Sequence, residues 1–146
     1  MNFRLLFIFG ICVATQAALA SEEVAVEVLT KNSISWDGSP VRYPKQGAEI
    51  TVMKISVPDG AEIPLHCHPV PLAAYMLSGA IEVVKSSGEK RIFRQGEAFI
   101  EVMNQWHQGT GIGAGTELVV FFAGQQNAPV AVKKNATNPL STDCNE

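Results

Sequence analysis

Three histidines carry the chemistry available to this sequence. His66 and His68 stand two apart in the stretch Gly60–Gly79, which reads G-AEIPL-H-C-H-PVPLAAYMLS-G, and His107 follows in a glycine-rich stretch. In an extended segment, residues two apart project from one face, about 6–7 Å apart along the strand. Two imidazoles so placed can lean onto one metal ion, and His107 is the one imidazole left to join them. Three neutral imidazoles would leave a divalent ion its full charge and open coordination positions. Such a site favours anionic ligands such as enolates, carboxylates or hydroxide. Imidazole suits several transition metals, so the expected cofactor is one divalent ion, with Fe, Zn, Mn, Ni and Cu all open.

A site of this kind needs a rigid frame, and the surrounding sequence reads as short strands divided by turns. Residues 24–30 alternate weakly, and Trp36-Asp37-Gly38-Ser39-Pro40 is turn chemistry. Residues 50–57 are rich in β-formers and end at the turn Pro58-Asp59-Gly60. Residues 72–77 and 81–85 read as two strands separated by Ser78-Gly79, and 86–89 as a hairpin loop into 90–93. Gln95-Gly96-Glu97 turns the chain into 98–102. The glycines at 109, 111, 113 and 115 read as turns before the most apolar strand, 117–123. After the leader, no ten-residue stretch holds a helical period, which predicts an all-β sandwich or barrel.

The first residues give an address. Arg4, an apolar run over 5–14 and Ala18-Leu19-Ala20 form the pattern of a secretory signal peptide, with a run too short to span a bilayer. Cleavage after Ala20 predicts a periplasmic or secreted protein with no membrane attachment. Eleven basic residues less Arg4 leave ten against fourteen acidic ones. This mildly acidic balance without a basic run argues against nucleic acid or an anionic membrane as partner. The expected organisation is a leader over 1–20, one domain over 21–130 and a tail over 131–146. Export permits a disulfide between Cys67 and Cys144. Two cysteines hardly make a framework, and the plainer expectation is a packed thiol at 67 and a loose one at 144. Asn135-Ala136-Thr137 matches a glycosylation pattern that chance explains as well. The chain has no Gly-rich phosphate loop, no Gly-x-Ser-x-Gly and no Cys-x-x-Cys.

Gly60, five residues, His66-x-His68 and then Gly79 resemble the first motif of the cupin superfamily. The second cupin motif runs Gly, five residues, Pro-x-Gly, two residues, His, three residues, Asn. Here it appears as Gly96, residues 97–101, Val102-Met103-Asn104, Gln105-Trp106, His107 and Gly111. The resemblance implies a single-domain, antiparallel jelly-roll β-barrel with a metal held inside by His66, His68 and His107. It also implies a small-molecule ligand and, dimers being common in the family, a homodimer. The departures bear on chemistry. Leu72 and Ala73 stand where the family carries a glutamate ligand, although some cupin oxygenases use a three-histidine iron site. Val102 and Asn104 replace Pro and Gly, and Asn104 can still supply the positive-φ turn.

Other residues compete for roles. Glu101, six before His107, is the candidate for a catalytic residue: it could replace the missing carboxylate or act as a base behind the ligands. Its alternative, the more ordinary one, is an outward-facing strand residue. Trp106, Tyr75 and Leu72 are the expected substrate-pocket residues, with barrel packing as the alternative for the aromatics. Cys67, between two ligands, should face away from the metal. The expected function is an exported metal-binding protein acting on a small anionic or enolisable molecule by dioxygenase-, isomerase- or lyase-type chemistry. The alternatives are a non-catalytic ligand- or metal-binding sensor domain and a metal-free structural β-domain.

Overall fold

The computed structural model describes residues 24–45, 47–134 and 144. The leader with its cleavage site and the Asn135-Ala136-Thr137 pattern lie outside the described residues. The described elements are all strands: β1 Ala48–Val57, β2 Glu62–Cys67, β3 Leu72–Lys85, β4 Lys90–Arg94, β5 Ala98–Ile100, β6 His107–Gln125 and β7 Val132–Lys133. They join in one seven-stranded sheet in which every named pairing is antiparallel. The path is β4-β3-β6-β2-β7, with β1 added to β6 and β5 to β3.

The two longest strands each unite stretches that read separately. In β3, residues 72, 74 and 76 are buried before Ser78-Gly79, and residues 81 and 83 after it. The buried parity flips because the register shifts on both sides of Ser78, as expected of a bulge that re-aims a strand without ending it. Gly79 is required there: it has φ 66°, and a Cβ would stand 2.5 Å from Thr116 Oγ1 and 2.8 Å from Thr116 Cα. Strand β6 behaves alike. Residues 107, 109 and 111 are buried, then 116, 118, 120 and 122, with the positive-φ Gly113 and Gly115 between. So the glycines at 109–115 lie within a strand rather than in turns. At Gly111 the reason is space, since a Cβ would come 2.6 Å from the Pro58 carbonyl oxygen.

The core lies between the inward faces of these strands. Leu72, Ala74, Met76, Ile81 and Val83 of β3 meet Leu118, Val120 and Phe122 of β6 and Phe93 of β4. Phe93 and Phe99 stack with centroids 3.7 Å apart, and Trp36 meets Phe93 edge-on. Each fully buried side chain of this kind contributes about 1.5–3 kcal/mol, so the site is built against a stiff wall. Residues 24–30, weakly alternating, form no strand, and Val24, Val26 and Val28 are exposed. Within the stretch expected as a tail, Val132–Lys133 pair with β2.

Candidate metal centre

Strands β2 and β6 bring the histidines together. His66 is paired directly across the ladder with His107, and opposed residues in an antiparallel pair hold their Cβ atoms about 4.5–5.5 Å apart. His68, two residues on, shares the face of His66. The ring centroids of His66, His68 and His107 lie 4.4–5.0 Å from one another, and one nitrogen from each falls within 4.8 Å of the others. The second motif's loop is tied to the first: Asn104 adopts φ 55°, and its backbone N–H donates to the His68 carbonyl at 2.9 Å.

Each imidazole is fixed by its other nitrogen. Nδ1–H donates to a backbone carbonyl in all three: His66 to Pro64 at 2.7 Å, His68 to Val130 at 2.7 Å and His107 to Gln105 at 2.9 Å. A carbonyl can only accept, so these contacts set the proton on Nδ1 and leave Nε2 as a bare lone pair. The Nε2 atoms of His66 and His68 then face each other 3.1 Å apart. Two lone pairs at that distance repel unless a cation lies between them. Two nitrogens bound about 2.0–2.1 Å from one ion would stand about 3.0–3.4 Å apart, so the donor set fits a divalent metal. Burial pushes all three imidazoles below their ordinary 6.5, His68 furthest, and the neighbouring rings reinforce the shift for His66 and His68. Neutral imidazole is the form that ligates.

The histidines line a cavity of about 70 Å³ whose other walls include Leu72, Ala74, Ile81, Val83 and Phe122. Leu72 thus lies where the sequence places it, beside the site. Glu101 lies there too, buried and facing the cavity rather than outward. It sits just past the end of β5, where the chain leaves the strand and strict alternation stops. Its Oε1 accepts from Trp36 Nε1 at 2.5 Å and from the Val102 N–H at 2.9 Å. Burial raises its carboxyl above the ordinary 4.5 despite those two bonds and the nearby His66.

Trp106 and Tyr75 do not line this cavity. Trp106 adjoins the inward His107, so alternation turns it outward, into a polar cleft with Arg42, Lys85 and Gln105. Tyr75, between the inward Ala74 and Met76, faces a shallow groove with Val28 and Phe121. Cys67 faces away from the histidine cavity as expected, yet its thiol is not free: it forms a disulfide with Cys144. Two contributors have no local sequence signal, Trp36 and the Val130 carbonyl, because each acts across more than sixty residues. Beside them, Asp37 accepts from Lys85 Nζ at 2.7 Å and Gln105 Nε2 at 2.9 Å. Burial opposes its charge, but those bonds and that from Ser39 outweigh it and bring its pKa down to about 2.

Residues 53–123 match the family model described as "Cupin domain". Residues 53–123 thus form a domain of the cupin superfamily. Among solved structures, the DMSP lyase DddQ from Ruegeria pomeroyi DSS-3 aligns with TM-score 0.52 at 17% identity, over 61% of this chain and 45% of that one. An oxalate oxidase aligns with TM-score 0.50 at 21% identity, over 58% of this cupin and 46% of its own chain. The structure of DMSP lyases RdDddP and RnDddQII aligns with TM-score 0.50 at 14% identity, over 57% and 43%. At these identities the likeness is one of fold, and the cupin spans less than half the length of each. No curated protein matches the chain.

Proposed function

We propose that this cupin is an exported metalloprotein that binds one divalent ion through His66, His68 and His107 and acts on a small anionic or enolisable molecule beside it. The observation that carries the reading is the convergence of three Nε2 lone pairs whose rings are each locked by an Nδ1–H···O=C bond. A bound divalent ion would supply a Lewis acid able to polarise a substrate oxygen. The cavity then limits the substrate. A water needs about 10–15 Å³ of such space, so about 70 Å³ admits a body of about five non-hydrogen atoms. Sugar nucleotides and aromatic acids are too large to enter whole. The apolar walls exclude water from the reacting group, and Glu101 is the one carboxyl among the lining residues that could hold or move a proton. Export rests on the leader pattern of residues 1–20.

A non-catalytic metal- or ligand-binding role is the second reading, favoured by the smallness of the cavity. Metal analysis of the purified protein beside a His66→Ala/His107→Ala variant tests the centre; equal metal in both refutes it. Turnover assays with two- to four-carbon keto acids, hydroxy acids and diketones then separate enzyme from binder. Tight binding without turnover favours the binder.

A further inference from the structure

The cavity and the histidines account for one face of β2. The other features of that strand all lead to the C-terminal segment. Strand β2 has two neighbours, β6 and β7, and β7 is only two residues long. Its pairing with β2 falls on a ligand residue and its neighbour, His66 opposite Lys133 and Cys67 opposite Val132. Just before it, the Val130 carbonyl accepts from His68 Nδ1 at 2.7 Å. Just after it, Lys134 Nζ stands 5.9 Å over the ring of Trp106, the neighbour of His107. Finally, Cys144 is bonded to Cys67, between the two histidines and across 77 residues of sequence.

A two-residue strand makes too few bonds to hold an edge by itself. Without it, β2 would be an exposed edge whose pairing with β6 is already irregular between Ile63 and His66. A covalent link changes this, because it keeps the segment at high local concentration beside its docking site. With the sheet folded, the segment after β6 is held at one end by Gln125 and at the other by Cys67, so the link removes freedom from the undocked segment.

We infer that residues 130–134, latched by the Cys67–Cys144 disulfide, form a clip that positions His66 and His68 and makes metal retention depend on thiol redox state. The inference rests on the three-histidine reading of the site. Opening the latch takes two electrons and two protons from a dithiol reductant. One of its thiolates attacks a cysteine sulfur, a mixed disulfide forms, and the second thiol resolves it. Two protein thiols and an oxidised dithiol result. The freed segment no longer holds the Val130 carbonyl against His68, so that imidazole loses the partner that fixes its tautomer and ring orientation. Loss of such a partner costs about 10–100-fold in metal affinity.

The test uses the full protein, with the disulfide first established by peptide mapping without reductant. Co²⁺ is titrated into oxidised wild type, wild type reduced with a phosphine, the same sample re-oxidised, and Cys144→Ala. The expected result is a Kd raised at least tenfold on reduction and in Cys144→Ala, restored on re-oxidation, with a changed Co²⁺ visible spectrum. Circular dichroism and the melting temperature of each metal-free form are measured alongside. A disulfide that merely stabilises the fold would lower the melting temperature and leave both Kd and spectrum unchanged; that outcome overturns the clip. Should Cys144→Ala not fold, the reduction and re-oxidation of wild type decide alone. Absence of Co²⁺ binding to the oxidised protein overturns the metal reading and the clip with it, whereas equal Kd values overturn the clip only.

Discussion

Replacing Glu101 with glutamine separates the charge of this carboxyl from its hydrogen bonds. Both side-chain bonds, from Trp36 Nε1 and the Val102 N–H, end on Oε1, and an amide oxygen can accept both. At acid pH the substitution should therefore change stability by less than about 1 kcal/mol. Glu101→Ala instead leaves two donors without a partner in a dry interior, at about 1–3 kcal/mol each. As pH rises the glutamine variant should gain on wild type. Burial holds the folded carboxyl above its ordinary 4.5, so the folded state keeps a proton that the unfolded chain releases. The stabilisation is full below the unfolded value and is lost as pH climbs through the folded one. Glutamine does not titrate, so the Gln-minus-Glu difference should grow by up to about 1.4 kcal/mol per pH unit across that window and then level off. The histidines are present in both proteins and largely cancel in the difference. Urea unfolding of the metal-free proteins from about pH 4 to pH 8, compared at equal m-values, reads it. A difference that stays flat with pH refutes the burial-raised carboxyl, and a glutamine variant as unstable as alanine refutes the shared acceptor.

Gly79→Ala should destabilise the protein by about 2–4 kcal/mol in urea unfolding, since its Cβ would strike Thr116 at 2.5–2.8 Å with φ at 66°. Gly88→Ala, with φ 88° but nothing within 4 Å, should cost only the backbone strain, about 1–2 kcal/mol. Asp37→Asn should lose about 1–2 kcal/mol at neutral pH. That stabilisation is present above the ordinary 3.8 and disappears as pH falls through about 2, so the two proteins should converge in acid denaturation. Ala74→Leu adds three carbons to the wall of a cavity of about 70 Å³. It should abolish small-molecule binding in calorimetry while elemental analysis shows the metal content unchanged.

Much of the fold is local in origin and therefore legible in the chain. The β-rich run before Pro58-Asp59-Gly60 and the hairpin at Ser86–Glu89 became β1 and the β3–β4 turn. Period-two burial and turn residues act within a few positions of themselves. Long-range pairing is not legible in this way. Ser78-Gly79 reads as a break, yet β3 passes through it as a bulge, because Thr116 of β6 packs where a side chain would be.

The same division runs through the site. Sequence alone named the candidate ligands, since His66, His68 and His107 are the chain's full complement of imidazoles and stand in two motif-like stretches. The proton positions divide: those of His66 and His107 are set by carbonyls two residues away, whereas that of His68 was decided by tertiary structure, through the remote Val130 carbonyl. Glu101 shows the limit most clearly. Just past a three-residue strand, parity does not say which way a carboxyl turns, and the indole of Trp36, sixty-five residues earlier, holds it toward the cavity. Cys67 shows it again, because the bond to Cys144 depends on the tail returning to β2. Candidate ligands can be named from residue types and motif spacing, while the orientation of His68 and the charge state of Glu101 belong to groups that meet only when the chain has folded.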